Sequence, residues 1–151
     1  MPAWSNIYGL DMNSPEDKPG FDLTSARLAR IVQSEIDKGI PPSKIIIGGF
    51  SQGGAAALHY SLRSPHSLAG AIALSSWLPL RGDYPAALSP AASKMKIQFF
   101  HGDEDPVVPH KSGENSYLLL KNMLPTAGIK FTTIEVPLFH RLNFLKLDDR
   151  H

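Results

Sequence analysis

From Phe21 to Lys38 the apolar positions Leu28, Ile31, Val32 and Ile36 recur at helical spacing, and Gly39 supplies a stop. This predicts an amphipathic helix. After the turn Pro41-Pro42-Ser43, the run from Lys44 to Gly48 is too short for a helix and lacks polar alternation, as in a strand covered on both faces. Glycines at 48, 49, 53 and 54 then bracket a sharp turn, and the small-residue segment Ala55 to Leu62 reads as a second helix ending at Ser64-Pro65. Leu68 to Leu74 and Lys96 to Phe100 are further strands, with Gly113 to Leu124 a third helix and Ile129 to Glu135 a fourth strand. Residues 1–20 and the proline-interrupted stretch Ser75 to Ser93 read as loop. Strands alternating with helices imply an α/β fold with a mostly parallel sheet flanked by helices. Its site is expected at the carboxyl ends of the strands.

Composition narrows the function classes. The 151 residues suit a single domain, 1–151, and the formal charge of +1 argues against nucleic acid or an anionic membrane as the main partner. There is no cysteine, which excludes disulfides, zinc-thiolate sites and cysteine nucleophiles. No apolar run approaches the roughly 20 residues of a membrane span, and the N-terminus lacks the basic and apolar regions of a secretory signal. A cytoplasmic protein with at most peripheral membrane contact is the simplest expectation. Neither a cofactor nor a metal is implied.

The segment Gly49-Phe50-Ser51-Gln52-Gly53 has the pattern G-x-S-x-G between a predicted strand and a predicted helix, the setting of a nucleophile elbow. In that reading Ser51 is the nucleophile, and the Gln52 N–H at the helix start faces the developing oxyanion. The competing readings are a purely structural glycine turn and a phosphate cradle; the latter lacks a lysine before the hydroxyl residue. A serine nucleophile requires a downstream acid and then a histidine. The turn His101-Gly102-Asp103-Glu104-Asp105-Pro106 offers both Asp103 and Asp105. Asp105 is favoured because Pro106 holds it extended, and Asp103 is better suited to capping the turn. His101, Asp103 and Asp105 could also be read as metal ligands, but no second cluster supports them. The base is sought among His110, His140 and His151; His110 follows the acid too closely, and His140, past the fourth strand, has the required order. His59 and His66 flank the helix after the elbow and are read as structural or solvated.

These motifs, together with Met1-Pro2-Ala3-Trp4, Gly39-Ile40-Pro41, Leu68-Ala69-Gly70 and Leu74-Ser75-Ser76-Trp77-Leu78-Pro79-Leu80, resemble the acyl-protein thioesterases and lysophospholipases, which are small α/β-hydrolase carboxylesterases. The resemblance implies a partial α/β-hydrolase fold and a Ser-His-Asp hydrolase acting on acylated protein or lysophospholipid. It places Ser51 and Asp105 at matching positions, carries over provisionally to His140, and makes Trp77 and Leu78 part of an acyl-binding groove. Two departures stand beside it. Family members carry strands and a His-Gly-rich oxyanion loop ahead of the Met-Pro-x-Trp segment, where this chain begins, and loss of one oxyanion donor is expected to cost roughly 10²-fold in rate. The strand before Ser51 would then be an exposed apolar edge open to self-association. Around His140, Val136-Pro137-Leu138-Phe139 lacks the glycine that the family places there, and the tail is patterned differently. The alternative to a hydrolase is therefore a truncated, catalytically impaired product that acts by binding or interaction.

Overall fold

The structure is a computed structural model, and it describes residues 14–135. Helix α1 (Lys18–Asp37) is followed by β1 (Ile46–Phe50), α2 (Gln52–Arg63), β2 (Gly70–Leu74), β3 (Lys96–Gly102), α3 (His110–Met123) and β4 (Gly128–Ile134). The four strands form one sheet in the order β1-β2-β3-β4, every neighbouring pair parallel. This is the alternating architecture expected from the chain's apolar pattern.

Several boundaries differ from that expectation, each for a local reason. Helix α1 starts before Phe21 because the Asp17 side chain accepts the Gly20 N–H at 3.0 Å and Pro19 lies in the first turn, where its missing N–H costs nothing. Of its apolar residues, Phe21 and Val32 are buried while Ile31 is 60% exposed, so Ile31 lies off the core face. Strand β1 begins two residues later than predicted and runs through Gly48 and Gly49, which are strand residues rather than turn residues. Nor is β1 covered on both faces: it is an edge of the described sheet, and Ile46 is 59% exposed.

Helix α2 packs between α1 and the sheet and is buried along nearly its whole length. Leu58 and Leu62, both fully buried, join Ala71, Ala73, Ile97, Phe99 and Leu120 in the main core. Each large apolar side chain sealed there contributes about 1.5–3 kcal/mol relative to exposure. The proline-interrupted segment after β2 contains two short 3-10 turns, Arg81–Asp83 and Pro90–Lys94. Arg63, at the end of α2, fastens it by donating to the Tyr84 hydroxyl and to Asp83 at 3.2 Å, and Lys18 bonds Asp83 from α1 at 2.7 Å. Burial pushes the Tyr84 phenol up to about 12, against the opposing pull of the Arg63 cation.

Candidate active site

Parallel register sets the row of residues from which the site is built. Phe50, Leu74, Phe100 and Thr132 are successive partners across the sheet, so the chain leaves β1 and β2 at Ser51 and Ser75 beside His101 and Thr133, the last-but-one residues of β3 and β4. All four positions lie toward the carboxyl ends of the strands. Two strand spacings, about 10 Å, separate the positions of Ser51 and His101.

Ser51 stands in the junction between β1 and α2 with φ 51° and ψ −121°, a conformation that side-chain-bearing residues avoid. Its backbone is pinned on several sides. Its N–H donates to the Leu74 carbonyl at 2.8 Å, and its own carbonyl accepts from the Gly54 N–H at 3.0 Å and the Ser76 hydroxyl at 2.7 Å. The glycines are required by contact. A Cβ on Gly49 would collide with the backbone of Gly53, and one on Gly54 would lie 2.8 Å from both the Gly49 carbonyl oxygen and Ser76 Oγ. Strand and helix therefore meet at a closeness that only glycine permits. Gln52 is the first residue of α2, where backbone N–H groups point outward along the helix axis.

Asp105 lies on the turn after β3, its side chain 3% exposed. One carboxylate oxygen accepts the N–H groups of both Val107 and Val108 at 2.9 Å. Asp105 is thus fixed by its own turn as well as by Pro106. Asp103 is exposed, with its carboxylate accepting the Glu104 N–H at 3.0 Å, the capping role expected of it. His110 begins α3, and its Nε2 lies 3.0 Å from Thr133 Oγ1 on β4. His140, the expected base, and His151 lie outside the described residues.

The two groove residues part company. Trp77 is partly buried and packs on Phe21, Ala55, Ala56 and Leu80. Leu78 has no accessible surface, belongs to the main core, and donates its backbone N–H to Ser116 Oγ at 2.8 Å. Leu78, expected beside Trp77 in an acyl groove, is sealed in the core in this conformation. Three contributors had no reading in the sequence as supports of the site. Ser76 braces the Ser51 carbonyl through the β1–β2 register, and Ser75, at φ 45°, is fully buried with a hydroxyl that has no hydrogen-bond partner among the described residues. His101 is sealed under the Asp105 turn. The last had a signal in the glycine at 113 inside a helical pattern, which marks a close approach: a Cβ there would overlap the His101 ring.

A strained serine at a strand-to-helix junction, with an acid on the turn two strands away, is a nucleophile-elbow arrangement. The family model described as Phospholipase/Carboxylesterase matches residues 1–142. The chain belongs to this family. Among the relatives that this chain matches, acyl-protein thioesterase 1 of Neurospora crassa is 40% identical over 140 residues, 88% of this chain and 56% of that protein. The protein of the same name from Mycosarcoma maydis is 37% identical over 133 residues, covering 82% and 55%. The chain thus spans about half the length of these curated relatives. In structure it is similar to SOBER1 of Arabidopsis thaliana, with TM-score 0.79, 28% identity, and coverage of 87% of this chain and 63% of that one. Acyl-protein thioesterase 2 of Zea mays gives TM-score 0.76 and 28% identity, with 88% and 63% covered. The fold is accordingly a partial α/β-hydrolase fold. Among the described residues, no helix is long and apolar enough to cross a membrane.

Proposed function

We propose that the chain is a serine hydrolase of the acyl-protein thioesterase and lysophospholipase type, cleaving fatty acyl thioesters or esters. The observation that carries this reading is the backbone of Ser51, held at φ 51° between Gly49 and Gly54, where contact leaves no room for a Cβ. Ser51 Oγ attacks the acyl carbonyl as His140 takes its proton, and the Gln52 N–H stabilises the oxyanion. Collapse of the tetrahedral intermediate breaks the bond to the leaving thiol or alcohol, which receives that proton. Water then releases the fatty acid by the same route in reverse. Asp105 orients the imidazole with its carboxylate. Trp77 supplies apolar surface to the acyl chain, with Leu78 supporting it from the core. No cofactor enters the scheme, and the acyl substrate is the partner.

The test is labelling of the purified chain by a fluorophosphonate, beside Ser51→Ala and His140→Ala variants. Wild-type labelling that vanishes in Ser51→Ala and falls in His140→Ala is expected. Label that persists in Ser51→Ala would overturn the nucleophile, and undiminished labelling in His140→Ala the base.

A second reading, an interaction protein without turnover that associates with its own copies, is favoured by β1. Ile46 is 59% exposed on that edge of the described sheet. A groove of about 230 Å³ beside it is lined by apolar residues that include Leu28, Ile47 and Ala57. Such an edge is a template for strand pairing. It predicts concentration-dependent association of an unlabelled protein; a labelled monomer would refute it.

A further inference from the structure

We propose that His101 is a positioning residue for Asp105, an inference that rests on the hydrolase reading for its catalytic consequence and on the geometry alone for its structural one. The ring is fully buried at the end of β3. Its Nε2 is 2.9 Å from the Val108 carbonyl oxygen. A carbonyl can only accept, so Nε2 carries the proton and donates. That bond closes a circuit. The imidazole holds the Val108 peptide from one side, while the N–H groups of Val107 and Val108 grip one oxygen of Asp105 from the other, both at 2.9 Å. The second carboxylate oxygen lies 3.7 Å from His101 Nε2, beyond a hydrogen bond but within the field of its N–H dipole.

The fold makes room for this ring and keeps it in place. Gly113 in α3 leaves the space that a Cβ would take from the imidazole. Phe131 stacks on it with centroids 6.4 Å apart, and His110 meets it edge-on at 5.7 Å. A buried polar ring is costly unless bonded, so a residue of purely packing use at this position would be better served by leucine. His101 instead joins the last residues of β3 to the turn that carries the acid. The orientation of Asp105 is thereby referred to the sheet, on which Ser51 is also mounted, rather than to the turn alone.

The test compares the full chain with His101→Gln, which can keep a donor near the Val108 carbonyl, His101→Leu, which cannot, and Gly113→Ala, which displaces the ring. Amide hydrogen exchange is read at Val107 and Val108 against Ile97 and Phe99 in β3, together with the fluorophosphonate labelling rate of Ser51. In His101→Leu and Gly113→Ala the Val107 and Val108 amides are expected to lose about 10-fold in protection relative to β3, as one lost hydrogen bond dictates, and labelling to slow by about 10-fold or more. His101→Gln should keep most of both. Unchanged protection at Val107 and Val108 in His101→Leu overturns the proposal. So does a loss spread evenly over β3 in both His101 variants, which would make the ring a core residue only. Absence of labelling in the wild-type chain would refute the hydrolase reading instead, with the exchange comparison still deciding whether His101 holds the turn.

Discussion

If the strain at Ser51 is real, replacing the serine with glycine should stabilise the chain relative to replacing it with alanine. Both variants lose the hydroxyl, so its bonds and solvation cancel in the comparison. What differs is the Cβ at φ 51° and ψ −121°. A residue with a side chain held in such a sparsely populated region costs about 1–3 kcal/mol. Glycine removes that cost but gives the unfolded chain more freedom, which takes back about 0.4–1 kcal/mol. The net expectation is that Ser51→Gly is more stable than Ser51→Ala by about 1 kcal/mol, or roughly 2–4 °C in a domain of this size. Urea unfolding of the two variants, followed by fluorescence of the two tryptophans, gives the difference directly from the midpoints if the slopes agree. Ser51→Ala as stable as Ser51→Gly, or more so, would refute strain at the elbow and, with it, the observation on which the hydrolase reading rests.

Gly54→Ala should lose about 1–3 kcal/mol by overpacking against the Gly49 carbonyl and Ser76, although alanine is the better helix former by about 1 kcal/mol; stabilisation in a denaturant melt would contradict the close contact. His59 is buried against Phe21, and desolvation, with Arg63 adding to it, lowers its pKa from 6.5 to about 4. The folded chain then binds fewer protons than the unfolded one between those values, so stability is full above pH 6.5 and falls as pH drops toward 4. After allowance for solvent screening the loss should be about 2–3 kcal/mol, and equal midpoints at pH 7.5 and pH 4.5, beside a His59→Leu control, would rule it out. Ile46→Lys places a charge on the exposed edge of β1 and should weaken any concentration-dependent association seen by sedimentation, while changing stability by no more than about 0.5 kcal/mol.

The order of elements was legible because it rests on periodicity, which short-range chemistry dictates. The elbow was legible for a related reason: glycine spacing around Ser51 reports a backbone contact between residues only four apart, Gly49 with Gly53. Boundaries were less so. Gly48 and Gly49 look like turn residues in sequence, yet they are strand, because the close neighbours that demand glycine are Ile72 across the sheet for one and the start of α2 for the other. Burial of Leu78 and the brace from Ser76 were hidden too, since both depend on how the segment after β2 folds over α2 and α3. His101 was visible only as one member of an acidic turn. Its partner is a carbonyl seven residues on, and no side-chain pattern announces a carbonyl.

Ser51 follows an edge strand of the described sheet, and its backbone geometry is nonetheless over-determined from one side. Leu74 and Ser76 hold the Ser51 peptide from β2, and the first turn of α2 holds it from above. None of these contacts draws on the far side of β1. Among the described residues, the Asp105 turn is likewise held by β3, α3 and β4, with the Asp103 N–H donating to the Ile134 carbonyl at 3.1 Å and Phe131 stacked on His101. Formation of the elbow and completion of the active site are therefore separable. A second oxyanion donor from beyond β1 would act on the developing charge without being needed to shape Ser51. Labelling by a fluorophosphonate, which needs the nucleophile and its base, can then persist where acyl turnover is lowered, by roughly 10²-fold for an oxyanion donor lost. The ratio of labelling rate to acyl turnover therefore separates formation of the elbow from stabilisation of the oxyanion.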